Sequence, residues 1–283
     1  MNKNDKKVTF GIINIDKPAG PTSFAVSSYL AKELKLNKAS HLGTLDPKVT
    51  GVLPVALGRA CKLAGYFMGH DKGYVGVLHT HTEQDIEKLQ KIIDKKFVGK
   101  IVQTPPHKSA VKRAERTREV YTWILLEASE GKKDFLFYCE VEGGTYIRKL
   151  CSDLGDLIGG SHMAELRRTK AGIFNEEKVY TLFQFEEALS EYNKGNKKKL
   201  HDMIVSGEDA IKHIMPAVSV HKRVKKVLLT GKPLFRNDIL DIQAFEKIQK
   251  GESFAVFIEK EFIEVAQKVS DHEMVARPEF VYN

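Results

Sequence analysis

The side chains with chemistry in reach gather in two loops. Asp46 stands before Pro47 in His41-Leu42-Gly43-Thr44-Leu45-Asp46-Pro47-Lys48-Val49-Thr50-Gly51, a stretch with no clean helical or strand period. An Asp-Pro between glycines is first of all a turn former. The strongly apolar run after it, residues 52–57, could also hold that carboxylate rigidly at the edge of a core. The second loop is Glu142-Gly143-Gly144-Thr145-Tyr146-Ile147-Arg148, where glycines permit close backbone approach and Arg148 falls on the first turn of a helix. On the residues alone, a structural turn with Arg148 at the surface is the simpler reading. No Gly-x-Gly-x-x-Gly, P-loop or His-Glu-x-x-His pattern occurs, so cofactor-dependent chemistry and metal hydrolysis are poor expectations. His79 and His81 alternate along a strand and read as surface residues rather than metal ligands.

The elements that must position these loops alternate between strand and helix. A strand at residues 10–15 ends in Asp16-Lys17-Pro18-Ala19-Gly20-Pro21, and Thr22 or Ser23 can cap a helix to about residue 36. Beyond the Asp46 loop come a buried strand at 52–57, a helix at 59–68 and a strand at 74–81. Thr82 is expected to cap a helix whose Ile86, Leu89, Ile93 and Phe97 share one face. Residues 121–128 and 134–142 alternate as a hairpin, ahead of a helix at 145–158 and a strand at 166–174. Helices at about 182–192 and 208–214 follow, and past Met215-Pro216 the texture turns to short strands. The reading is α+β, with residues 1–216 as a catalytic-size domain and 217–283 as a small β-rich module.

Composition sets the outer bounds. A chain of 283 residues that is 42% apolar and 29% charged reads as soluble and globular, with more than one core. No apolar run approaches the length of a membrane span, and Asn14 and Asp16 interrupt what a secretory signal would need. Cys61, Cys139 and Cys151 include no Cys-x-x-Cys pair, so neither a disulfide framework nor a zinc site is expected, and a reducing cytoplasmic location is simplest. The net charge of +8 favours a polyanionic partner. Lys108, Lys112, Arg113, Arg116 and Arg118 form one basic group, and Arg148, Lys149, Arg167, Arg168 and Lys170 a second. Both could line a groove for a phosphate backbone.

Five motifs then occur in order: Asn14-Ile15-Asp16-Lys17-Pro18-Ala19-Gly20-Pro21-Thr22-Ser23, the His41–Pro47 stretch with Thr50-Gly51, Lys72-Gly73-Tyr74, Gly144-Thr145-Tyr146-Ile147-Arg148, and Leu166-Arg167-Arg168-Thr169. From about residue 10 to 174 the chain resembles the pseudouridine synthase family that holds the bacterial tRNA T-loop enzyme and the catalytic subunit of box H/ACA ribonucleoproteins. The resemblance implies the pseudouridine synthase fold, a mixed and largely antiparallel sheet with flanking helices, followed by a PUA-like RNA-binding domain. It implies an isomerase that converts uridine to pseudouridine in RNA, using no metal and no redox cofactor. Asp46 is the implied nucleophile, Arg148 its pairing arginine, and Tyr74 the tyrosine that stacks on the extruded base. Lys17 and His41 take support roles near the RNA and the loop, Leu166 packs beside the base, and Tyr146 and Lys112 join the RNA-binding residues. As ordinary core residues, Tyr74, Tyr146 and Leu166 would need no such role.

Two features bear on the branch. The chain runs from Leu78-His79-Thr80-His81 almost directly into the Glu83 helix, without the Thr-Asp-Thr-like insert of the bacterial tRNA enzymes. Gln103-Thr104-Pro105-Pro106-His107-Lys108-Ser109-Ala110-Val111-Lys112-Arg113 is similar to the ribonucleoprotein version of that segment. The expectation is an archaeal-type synthase whose guide RNA selects uridines mainly in rRNA, with small H/ACA protein subunits as partners. The second reading is a stand-alone synthase of the tRNA T-loop. A non-catalytic RNA-binding scaffold is a third, and the intact set of Asp46, Tyr74 and Arg148 speaks against it.

Overall fold

The structure, a computed structural model, describes residues 5–104, 114–270 and 272–283. The chain divides into two compact units. One holds Ile13–Ile204 with the segment before Phe10, and the other holds Phe10–Ile12 and Val205–Asn283. The division thus falls before the Gly207–Lys212 helix rather than at Pro216. Phe10 explains part of the difference: within the second unit its ring lies 5.7 Å from Phe262 and 4.2 Å from Tyr282, contacts no local pattern announces.

The first unit is built on strands β1 (Phe10–Lys17, whose first three residues belong to the second unit), β2 (Ala39–His41), β3 (Thr50–Gly58), β4 (Lys72–Thr80), β5 (Gly99–Gln103), β6 (Arg116–Ala128), β7 (Asp134–Val141), β8 (Ser161–Ala171) and β9 (Phe174–Asn175). Their order is β1-β3-β8-β4-β7-β6-β5, with β2 on β3 and β9 on β8. β3 and β8 run parallel, whereas β4 is antiparallel to both β7 and β8. The helices are α1 (Lys6–Thr9), α2 (Ser23–Glu33), α3 (Ala64–Met68), α4 (Ile86–Lys96), α5 (Ile147–Ile158), α6 (Leu182–Asn193) and α7 (Lys198–Met203). The result is the α+β arrangement expected from the sequence, a mixed and mostly antiparallel sheet with flanking helices.

Local chemistry explains most boundaries. Thr22 caps α2, its hydroxyl accepting from the Ala25 amide at 3.0 Å. Thr82 does not cap α4; Asp85 does, accepting from the Lys88 amide at 3.0 Å. The chain stays extended before it because the His81 and Gln84 amides bond the Gly160 and Lys132 carbonyls. α5 likewise starts at Ile147 rather than Thr145, since the Gln103 amide group clasps the Tyr146 backbone, bonding both its N–H and its carbonyl. One sheet face then buries Trp123, Phe135 and Phe137 with Leu89 and Ile93 of α4 and Leu150 and Leu154 of α5.

The second unit carries a five-stranded sheet in which Ala217–Ser219 runs parallel to Ser253–Ile258, followed by antiparallel Glu261–Lys268, Met274–Val281 and Leu234–Phe235. Its core gathers Val218, Phe245, Phe254, Val256, Ile263 and Val275. Short strands after Pro216 are therefore as expected.

Candidate active site

The Asp46 loop spans the gap between β2 and β3 and is tied down from three directions. Ser23, at the start of α2, is buried and reads the residue before Asp46: its hydroxyl donates to the Leu45 carbonyl at 3.0 Å and accepts from the Leu45 amide at 2.8 Å. Lys17, at the end of β1, is wholly buried, and its ammonium donates to the carbonyls of Pro18, Pro47 and Val49 at 2.8, 3.0 and 2.8 Å. Burial lowers the pKa of Lys17, and the nearby charge of Asp46 opposes that shift. Leu45 and Val49 complete the anchorage by pointing into the core.

Arg168 is the third anchor. It is 1% exposed, and its guanidinium donates to the Val52 carbonyl at 2.8 Å and the Gly43 carbonyl at 3.0 Å. It therefore staples the two ends of the loop together. The parallel pairing of β3 with β8 brings the backbones so close that a Cβ on Gly51 would lie 2.2 Å from the Arg168 carbonyl. Gly51 also has φ +98°. Gly51→Ala is accordingly expected to destabilise the chain by about 3 kcal/mol through strain and overpacking, read as a drop in the urea midpoint.

With the loop fixed, Asp46 Oδ2 meets Arg148 Nη2 at 3.1 Å across from the N-terminus of α5. The two side chains are 44% and 48% exposed, so the carboxylate is rigidly based yet open to a ligand. Tyr74 is buried, its phenol pKa pushed up by that burial. Leu166 pairs with Gly76 and so shares the sheet face of Tyr74 and Arg168. His41 lies 3.0 Å (Nε2) from the Thr44 hydroxyl, and burial pushes its pKa down, so the ring is neutral at pH 7. Tyr146 sits at the cap of α5. Lys112 lies outside the described residues.

The expected phosphate groove is not what the second basic group forms. Arg167 makes a two-pronged pair with Asp16 at 2.9 and 3.1 Å and bonds Glu176 at 2.6 Å. Lys170 pairs with Glu140, Lys149 with Asp153, and Arg168 is buried. Asp16 of β1 and Glu140 of β7, together with the nearer Glu176 and Asp153, pair with cations that looked free along the chain. Arg168 and Ser23 matter most to the loop geometry, and neither stood out as a site residue; only the three-dimensional return of β8 beside β3 reveals them.

Among the described residues, this arrangement is an open carboxylate with one guanidinium partner. Residues 31–147 match the TruB family pseudouridylate synthase N-terminal domain, and residues 148–212 the tRNA pseudouridylate synthase B C-terminal domain. A probable tRNA pseudouridine synthase B of Methanopyrus kandleri is 39% identical over 87% of this chain and 72% of its own. The chain belongs to the TruB family of pseudouridine synthases. The synthase is thus an RNA isomerase. A relative of the same description from Korarchaeum cryptofilum is 40% identical over 92% of this chain and 80% of its own. Among solved structures, the crystal structure of a Cbf5-Nop10-Gar1 complex is similar, with TM-score 0.85 and 35% identity, covering 97% of this chain and 85% of the other. An H/ACA RNP bound to a substrate RNA containing 2′-deoxyuridine gives TM-score 0.85 and 33% identity over 98% of this chain and 86% of the other. No helix among the described residues is long and apolar enough to cross a membrane.

Proposed function

We propose that Asp46 is the nucleophile of the uridine isomerisation and that the synthase acts as the guide-RNA-dependent catalytic subunit of an H/ACA-type ribonucleoprotein. The first part is carried by the open carboxylate on an immobilised loop, paired with Arg148 at 3.1 Å. The reaction breaks the bond from C1′ to N1, turns the uracil and forms a bond from C1′ to C5. The C5 proton leaves and N1 gains one, so nothing is consumed. Asp46 can attack and leave again, or stabilise the cleaved sugar without bonding to it. Tyr74 and Leu166 seat the base, Lys17 and His41 hold the loop, Tyr146 sets the start of α5, and Lys112 contacts RNA.

The guided reading is supported by likeness to Cbf5 along nearly the whole chain at 35% identity. In that reading base pairing selects the uridine, the protein reads backbone and shape, and small H/ACA subunits complete the particle. The second unit serves as an abbreviated PUA-like module for the guide. The description of the archaeal relatives, tRNA pseudouridine synthase B, favours a second reading as a stand-alone T-loop enzyme. Tritium release from C5-labelled uridine separates them, using a T-loop tRNA transcript in one arm and guide plus target RNA with partner subunits in the other. Turnover confined to the guided arm is the expected result; equal turnover on tRNA alone would overturn guide dependence.

A further inference from the structure

Lys72 opens β4 and belongs to neither the Asp46 loop nor the turn that carries Arg148, yet it bonds the backbone beneath that turn and approaches the Gly43 end of the loop. Its ammonium donates to the Met68 carbonyl at 2.7 Å and to the His70 carbonyl. Gly143, in the turn before α5, sits on that same backbone. A Cβ there would lie 2.6 Å from the Gly69 carbonyl oxygen and 2.8 Å from that of His70. The Arg148 turn therefore rests on the segment that Lys72 holds. On its other side, Lys72 Cε is 4.0 Å from the Cβ position of Gly43, where the Asp46 loop begins, beside Arg168 Nη1 at 3.4 Å.

We infer that Lys72 is a positioning residue that sets the separation of Asp46 and Arg148, bracing the backbone of residues 68–70 against the Gly43 end of the Asp46 loop. This rests on the reading of Asp46 and Arg148 as the reacting pair. The side chain is 5% exposed, so no water can readily replace its bonds to the two carbonyls. Removing the ammonium leaves those carbonyls unsatisfied, lets the turn relax, and moves the seat of Gly143. The charged groups facing Lys72 are Arg168 from β8 and Asp71 beside it. Burial pushes its pKa down to about 8, Arg168 acts in the same direction, and Asp71 opposes. The brace is consequently lost as pH rises past about 8.

Lys72→Met and Lys72→Gln test this, each assayed for single-turnover rate at saturating RNA, RNA affinity and thermal unfolding from pH 6.5 to 9.5. A misplacement of reacting groups by about 1 Å costs on the order of 100-fold, so Lys72→Met is expected to lose roughly that much rate while affinity changes by less than about threefold. Lys72→Gln, which keeps amide donors, is expected to lose less. The wild-type rate should fall on the alkaline side of pH 8, and both variants should lack that limb. A saturating rate within twofold of wild type in both variants would overturn the inference, as would an effect on affinity alone. If Lys72→Met does not fold, Lys72→Gln decides by the same criteria. Asp46→Asn is run alongside. Retained activity there would overturn the nucleophile reading and this inference with it, whereas a dead Asp46→Asn with normal Lys72 variants would overturn only the role of Lys72.

Discussion

Asp46→Asn is expected to abolish tritium release from C5-labelled uridine, with a loss of about 10⁴-fold or more, as when a nucleophile is removed elsewhere. The substitution changes charge and nucleophilicity but almost no volume, and the amide oxygen can still accept from Arg148. The loop should keep its place, because its anchors act on backbone atoms: Ser23 on Leu45, Lys17 on Pro47 and Val49, and Arg168 on Gly43 and Val52. RNA affinity should accordingly stay within about threefold, since one carboxylate is no part of the phosphate contact. Turnover above roughly a tenth of wild type would exclude the nucleophile assignment, because an amide cannot supply covalent or anionic stabilisation. A large loss of RNA binding would instead assign Asp46 a structural place in the RNA surface.

The second large effect is one of stability and lies in the second unit. Glu264 is 0% exposed, and neither carboxyl oxygen has a partner among the described residues. Its cross-strand neighbour is Val256, a core residue, so the carboxyl points into the apolar cluster. Burial pushes its pKa up from 4.5 to about 8. The folded chain therefore holds this proton where the unfolded chain has already released it. The proton-linked stability is fully present below pH 4.5 and is lost progressively as pH rises to about 8, for a total of about 5 kcal/mol. Glu264→Gln should flatten this part of the urea-stability profile between pH 5 and 9. Glu264→Leu should raise stability at pH 8 by roughly 3 kcal/mol, since it removes an unsatisfied polar group from the core. Identical pH slopes in wild type and Glu264→Gln would show that Glu264 does not bind that proton.

Much of this was legible along the chain because the informative interactions are short in range. The cap of α2 at Thr22 and the hairpin of β6 and β7 depend on neighbours within a few residues. The motif order carried the family, since five separate motifs, two of them within β4 and β8, recur in one sequence. The start of α4 was missed because Thr82 has the right side chain for a cap, while the Gly160 and Lys132 carbonyls hold the chain extended past it.

What the sequence by itself determined was the α+β class, the approximate elements, and the candidacy of Asp46 with Arg148. Tertiary structure alone decided the roles that depend on return of the chain. Arg168 follows Arg167 directly, yet alternation on β8 sends one guanidinium into the core to staple Gly43 and Val52 and the other to Asp16. Lys17, expected from the resemblance only as a support near the RNA and the loop, is a buried donor to three carbonyls. Whether a cation is free to meet phosphate, or is spent on a carbonyl or carboxylate, depends on groups that can lie far along the chain, 151 residues for Arg167 with Asp16 and 125 for Arg168 with Gly43. No local pattern encodes that pairing, because it exists only once burial has made an unpaired charge too costly to keep.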